Sequence, residues 1–202
     1  MTLRSRMVPD RRSSLRLLLV TAFMALSGCR TLDRTLQHAG IPCGLYRWPV
    51  KTLTDPDAES IRLKPIETTI RDLAGLPRPA RRPQNRRVGN EFYVYRIKAL
   101  IAAVHQELDQ DLHLRLRDPL DPEVEIIAEI PSPRCAIGSR YEPAFASARR
   151  IAESLRARGG ETLVEVSGVG FFDALRDQIG GASNGFELHP VLELSEIQPA
   201  RR

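Results

Sequence analysis

The residues best suited to chemistry in this chain surround the acidic pattern Asp109-Gln110-Asp111-Leu112-His113. Side chains two residues apart on a strand point to the same side, so Asp109, Asp111 and His113 would share one face where a strand begins. Carboxylate and imidazole groups together can hold a divalent metal ion. The remaining candidate catalytic residues are predicted to point outward from strands: Arg115, Arg117 and His189. On the last strand His189 lies on the same side as Glu187.

The same residue types also have a simpler interpretation. Asp-x-Asp at the entry to a strand is typical of a hairpin turn, and outward His and Arg side chains usually form a solvent-exposed face. No other metal-ligand spacing or nucleotide-binding motif accompanies them. We therefore predict no metal and no cofactor, and we favour a binding module over an enzyme.

The pattern of apolar residues predicts the elements that would position these side chains. Apolar and polar residues alternate with a period of two, as in half-buried strands, over residues 92–104, 112–117, 123–130, 163–172 and 186–197. Between the third and fourth strands the apolar spacing changes to three and four residues, from Phe145 to Leu155. Pro143 suits the first turn of this helix, and Gly159-Gly160 suits its end.

The resulting order, β-β-β-α-β-β, predicts a mainly β domain over residues 91–197, with an OB-fold-like small Greek-key barrel as the favoured architecture. A five-stranded sheet with one helix packed on a face would share this pattern. The barrel resembles that of the thermonuclease family, which implies an alternative function as a metal-dependent phosphodiesterase, with Arg115, Arg117 and Asp118 in the acid and arginine roles. However, this region has 11 basic and 18 acidic residues, so nucleic acid is disfavoured as a partner.

Residues 43–90 form a turn-rich segment and an Arg/Pro-rich connector, RPARRPQNRR. Thr68 or Thr69 can cap a brief helix that runs through Leu73 and ends at Gly75. The segment is too short to fold alone, so we expect it to lie across the barrel domain, held by Trp48, Val50 and a disulfide. The composition of the connector predicts a solvated linker, and contact of its arginines with anionic lipid headgroups is the alternative.

Cys43 and Cys135 are the two cysteines outside the N-terminal region. In an exported protein such a pair favours a disulfide. Two free buried thiols are the alternative.

The N-terminus has the layout of an export signal, since residues 1–28 contain five arginines, one aspartate and an apolar run at 17–26. The following Leu-Ser-Gly-Cys29 resembles the lipobox of bacterial lipoproteins. This resemblance implies cleavage before Cys29, acylation of its thiol and new amino group, and a tether over residues 29–42. Arg30, which is not the aspartate that marks inner-membrane retention, implies the outer membrane in a host with two membranes. Without residues 1–28, the chain's net charge of +5 falls to about +1.

Three phrases, CGLYRWPVKTLTDPDA, DQDLHL and NGFELHPVLEL, resemble a family of uncharacterised bacterial proteins over residues 43–194. The resemblance implies that the segment at Cys43 belongs with the barrel and carries over no activity. The favoured function is therefore a lipid-tethered module of the cell envelope, facing the periplasm or exterior. Its outer sheet face and the loops at 105–111 and 173–185 would recognise an envelope protein, peptide or glycan.

Overall fold

A computed structural model describes residues 43–44, 46–175 and 179–198. The signal peptide, Cys29 and the tether predicted above lie outside these residues. None of the helices in the described part is both long and apolar enough to cross a membrane.

The described residues form six strands, and the last five in chain order build the barrel. The strands are β1 Arg62–Glu67, β2 Tyr93–Gln106, β3 Leu112–Arg117, β4 Glu125–Ile130, β5 Thr162–Phe172 and β6 Phe186–Glu196. The helices are α1 Trp48–Lys51, α2 Ile70–Ala74 and α3 Glu142–Arg158, with short 3-10 turns at Ala58–Ser60, Gly89–Phe92 and Pro133–Cys135.

The strands run in the spatial order β1-β2-β3-β4-β6-β5, and β2 also pairs with β5, which closes the barrel. β2 is long enough to serve two neighbours: its first half pairs with β5 from Val94 to Ile101, and its second half pairs with β3 from Leu100 to Gln106. The β4–β6 pair is parallel, whereas β2–β3, β3–β4, β2–β5 and β5–β6 are antiparallel. The fold is thus a closed mixed barrel with one main helix.

The predicted strands and main helix agree closely with those observed. β3 has the predicted bounds, and its three leucines lie fully buried in the core, as the alternation requires. α3 buries Phe145, Ala148, Ala152 and Leu155 against the barrel and ends at Gly159, whose φ of 67° suits glycine. Thr69 caps α2, its hydroxyl accepting a hydrogen bond from the backbone N–H of Asp72.

Most residues of the Arg/Pro connector are exposed, but it is more than a solvated linker, because four of its five arginines bind other parts of the domain. Arg87 is buried and pairs with Asp55 at 2.7 Å. Arg78 and Arg82 both donate to the carbonyl oxygen of Asp173, at 2.7 and 2.6 Å, and Arg86 pairs with Asp57. The arginines thus bind two carboxylates of the N-terminal segment and a backbone carbonyl just after β5, which composition alone does not indicate.

A strap, defined here as residues 46–57, lies on the outer face of the barrel. Cys43, just before it, forms a disulfide with Cys135, which confirms the predicted pairing. Trp48 donates its indole N–H to the carbonyl oxygen of Cys135 at 3.0 Å. The guanidinium of Arg47 forms two bonds to Glu91, at 2.5 and 2.7 Å, with both side chains fully buried.

Candidate metal centre

Three neighbouring strands bring polar side chains into one row on the outer face of the barrel. His113 of β3 lies directly opposite Glu129 of β4. β4 and β6 run parallel with Ile127 beside Glu187, so Glu129 and His189, each two residues further along, also become neighbours. Asp111 joins the row from the residue just before β3.

The centre itself consists of Asp111, Glu129 and His189, whose potential ligand atoms all lie within 4.8 Å of one another. The distance from His189 Nδ1 to Glu129 Oε2 is 2.7 Å, and that from His189 Nε2 to Asp111 Oδ2 is 3.5 Å. His113 Nδ1 lies 3.2 Å from the other oxygen of Glu129. The imidazole of His189 is therefore flanked by two carboxylates.

These groups are buried and incompletely hydrogen-bonded. His189 and Asp111 are 0% exposed, and Glu129 and His113 are 8 and 9% exposed. Despite the short distances, neither ring nitrogen of His189 nor Oδ2 of Asp111 has a hydrogen-bond partner of acceptable geometry. Buried polar atoms in folded proteins nearly always have a partner, and imidazole with carboxylates is a set of donors that a divalent metal ion can use.

The second carboxylate oxygen of Asp111 is held in place by the backbone. Asp111 Oδ1 accepts a hydrogen bond from the N–H of Ser132 at 2.9 Å. Such a bond from outside the ligand set fixes the orientation of a carboxylate. It leaves Oδ2 directed at His189.

The strap covers the centre from outside. Lys51 Nζ lies 3.5 Å from Glu129 Oε2 and 5.3 Å from the centre of the Phe171 ring. The Phe171 ring is in turn 5.5 Å from that of His189. A strand position that would face solvent on a bare barrel is thus enclosed.

The electrostatics of the cluster depend on mutual compensation of charges. Burial acts to lower the pKa of His189, as does Lys51, but Glu129 and Asp111 outweigh them and raise it. Burial acts to raise the pKa of Glu129, yet His189, His113 and Lys51 hold it well below its ordinary value. Burial dominates at Asp111 and raises its pKa, although His189 opposes this. The two carboxylates thus favour the charged form of His189, and burial opposes it. Metal binding requires the neutral ring, so it would compete with a proton at this site.

The structure brings together some of the residues singled out in the sequence and separates others. Asp111, His113 and His189 meet, but the last two are buried, contrary to the expected exposed face. Asp109 stays in the turn, where its Oδ1 accepts from the N–H of Asp111 at 3.3 Å.

The arginines proposed for phosphodiester chemistry lie elsewhere on the same face. Arg115 and Arg117 pair with Glu125, and Arg117 also pairs with Glu161. Asp118 accepts a backbone hydrogen bond from Leu120 in the turn after β3. Both arginines are thus paired with carboxylates on the barrel surface and are not part of the cluster around His189.

Glu129 and Lys51 were missed. Glu129 has the outward phase of its strand, which normally means solvent, and Lys51 lies in the turn-rich strap. The sequence does indicate that Glu129, His113 and His189 all face outward from their strands. Only the strand order shows that these three residues are neighbours.

Comparison with known proteins adds no function. The chain matches no protein-family model, and no curated protein matches it significantly. Interpretation of the centre therefore depends on its own geometry.

Proposed function

We propose that this protein is a lipid-tethered module of the bacterial cell envelope whose OB-fold barrel binds a divalent transition-metal ion through Asp111, Glu129 and His189. The observation that carries the proposal is the convergence of His189, Asp111 and Glu129 in a buried site, where one potential ligand atom from each lies within 4.8 Å of the other two. One imidazole and two carboxylates favour Zn²⁺, Mn²⁺ or Fe²⁺ over Ca²⁺, which prefers oxygen ligands alone.

The strand connections support the OB-fold assignment. In the OB-fold a five-stranded Greek-key barrel is partly closed by its first strand, and here β2 pairs at its two ends with β5 and β3. α3 connects β4 to β5, the place at which the sequence pattern put it.

The lipobox-like Cys29 and the Cys43–Cys135 disulfide support the envelope location. Structural disulfides persist in oxidising compartments such as the periplasm. Burial of the metal ligands favours a binding or structural role for the ion, because a substrate could not reach His189 while the strap is in place. An envelope protein, peptide or glycan remains the proposed partner of the outer face and its loops.

Metal titration of the purified, disulfide-bonded protein tests the proposal. We expect the wild-type protein to bind about one equivalent of Co²⁺ or Zn²⁺ and to release protons on binding. Glu129→Gln and His189→Gln should weaken binding by about 10-fold to 100-fold or more, because each removes a ligand. Glu125→Gln is the matched control, since Glu125 lies on the same strand and face but contacts Arg115 and Arg117.

Equal metal affinity in Glu129→Gln and Glu125→Gln would refute the proposed centre. So would the absence of any binding to the wild-type protein.

The second candidate function is metal-dependent phosphodiester hydrolysis, as the resemblance to the thermonuclease barrel implies. Asp111 and His189 approach each other, but a phosphodiester would reach them only if the strap were displaced. Hydrolysis of a chromogenic phosphodiester by metal-loaded protein, lost in Asp111→Asn but retained in Glu125→Gln, would support it. If the metal-loaded protein hydrolyses the substrate no faster than the free metal ion does, the hydrolase function is contradicted and only the binding role stands.

A further inference from the structure

The strap contacts the metal centre and its surroundings at several points. Lys51 reaches Glu129, and the guanidinium of Arg47 lies 4.9 Å from the centre of the Phe171 ring, which contacts His189. Displacing the strap would remove Lys51 and uncover the outer side of the row. Access to the ion therefore depends on where the strap lies.

The disulfide holds the beginning of this cover in place. Cys43 is bonded to Cys135, and the indole of Trp48 bonds to the Cys135 carbonyl. Gly44 packs so tightly that a side chain at its position would collide with the Trp48 ring and approach Asp109 Oδ2 to 3.0 Å. Covalent bond, hydrogen bond and packing thus all attach the strap next to the turn at Cys135.

That turn is also connected to a metal ligand. The N–H of Cys135 bonds to the carbonyl of Ser132 at 2.9 Å, and the N–H of Ser132 bonds to Asp111 Oδ1. Two consecutive hydrogen bonds therefore lead from the disulfide to Asp111. A change at Cys135 acts on the cover and on the ligand set together.

We propose that the Cys43–Cys135 disulfide is a redox latch of the metal centre: its reduction by a dithiol loosens the strap and the Ser132 turn and speeds the exchange of the ion. This inference rests on the proposed function. In the reaction one thiol of the dithiol loses its proton and attacks one sulfur of the protein disulfide, forming a mixed disulfide that the second thiol then breaks. The protein disulfide gains two electrons and two protons and becomes two thiols, while the dithiol becomes a disulfide. Both cysteines are partly exposed, so a dithiol can reach them.

The first test measures metal exchange. Oxidised protein loaded with Co²⁺ is mixed with excess chelator, and loss of the Co²⁺ absorption gives the release rate. We expect release from Cys43→Ser/Cys135→Ser to be about 10-fold faster or more, as for loss of groups that orient metal ligands. Leu155→Ala is the matched control, since it weakens the core beneath α3 without touching the strap, and its release rate should equal that of the wild type.

The second test needs no metal. Diethyl pyrocarbonate should label His189 slowly in the oxidised, metal-free protein and at least about 10-fold faster after reduction and alkylation of the two cysteines. Peptide mass spectrometry locates the label. Circular dichroism establishes whether each sample is folded. If the double cysteine variant is unfolded, metal release is measured instead with Trp48→Phe, which keeps the disulfide but loses the indole hydrogen bond.

The outcomes separate the two proposals. Failure of the oxidised wild-type protein to bind Co²⁺, with labelling of His189 still controlled by the disulfide, contradicts the metal centre and retains only the disulfide's control of the cover over His189. Normal Co²⁺ binding, with release and labelling both unchanged when the disulfide is removed, overturns the latch and retains the centre.

Discussion

His189 shows how a side chain on the outside of a barrel becomes an interior one. Its phase along β6 places it away from the core, as the sequence predicts, but it is completely buried. Strand periodicity reports only which side of the sheet a residue faces. Whether that side meets water depends on a distant segment, here the strap, which periodicity cannot reveal.

The residues of β3 allow this distinction to be measured. Leu114 is fully buried in the barrel core, whereas Arg115 is partly exposed and its contact to Glu125 is 3.5 Å long. We expect Leu114→Ala to lower the free energy of unfolding by about 2–5 kcal/mol through lost burial and a cavity. Arg115→Ala should lower it by about 1 kcal/mol or less. Urea unfolding of both variants provides the measurement, and a larger loss for the arginine would contradict the assigned orientation of β3.

Asp57 provides a pH-dependent contribution at the end of the strap. Hydrogen bonds from the Arg86 side chain and the Arg87 N–H lower the pKa of its carboxyl group. Because the folded pKa lies below the unfolded one, this stabilisation is present above the ordinary carboxyl range and is lost as the pH falls through the folded pKa. The stability difference between wild type and Asp57→Asn should therefore shrink from about pH 7 to about pH 3, as measured by urea unfolding; a constant difference would contradict this origin.

At the level of elements, local patterns predicted the barrel strands and α3 well because each has one face against a core. β1 was missed because its sequence, RLKPIE, lacks alternation and most of its side chains are exposed. It is a strand only because it pairs with β2. The strap was predicted to pack on the barrel, and it buries Val50 and Leu53. Its ionic contacts were not predicted, because which arginine meets which carboxylate depends on the tertiary structure.

Arg47 is the strongest of these ionic contacts. Besides Glu91 it donates to the carbonyl oxygens of Pro83 and Arg86, so it joins strap, connector and barrel. Arg47→Met would leave Glu91 as an uncompensated buried charge, and we expect a loss of about 3–5 kcal/mol. Arg158→Met, which removes an exposed pair with Glu196, should cost about 1 kcal/mol or less. Thermal and urea unfolding compare the two; similar losses would show that the Arg47 pair has no special role.

At the scale of the whole molecule, the proposed membrane attachment depends on Cys29. Acyl chains contribute about 0.8 kcal/mol per buried CH₂ group, so the mature protein should sediment with membranes. Cys29→Ser should release the domain or leave the precursor uncleaved, as fractionation and intact mass would reveal. Cys29→Ser protein that stays membrane-bound at the normal mature mass would contradict the lipobox interpretation.

Closure of the barrel by the β2–β5 pair leaves little backbone available to neighbours. Among the described strands, β1 lies at the open end of the strand order, and it is short, charged at Arg62, Lys64 and Glu67, and interrupted by Pro65. Charges and proline on an edge strand oppose pairing with another chain. Two copies of this barrel are therefore not expected to join their sheets edge to edge through β1.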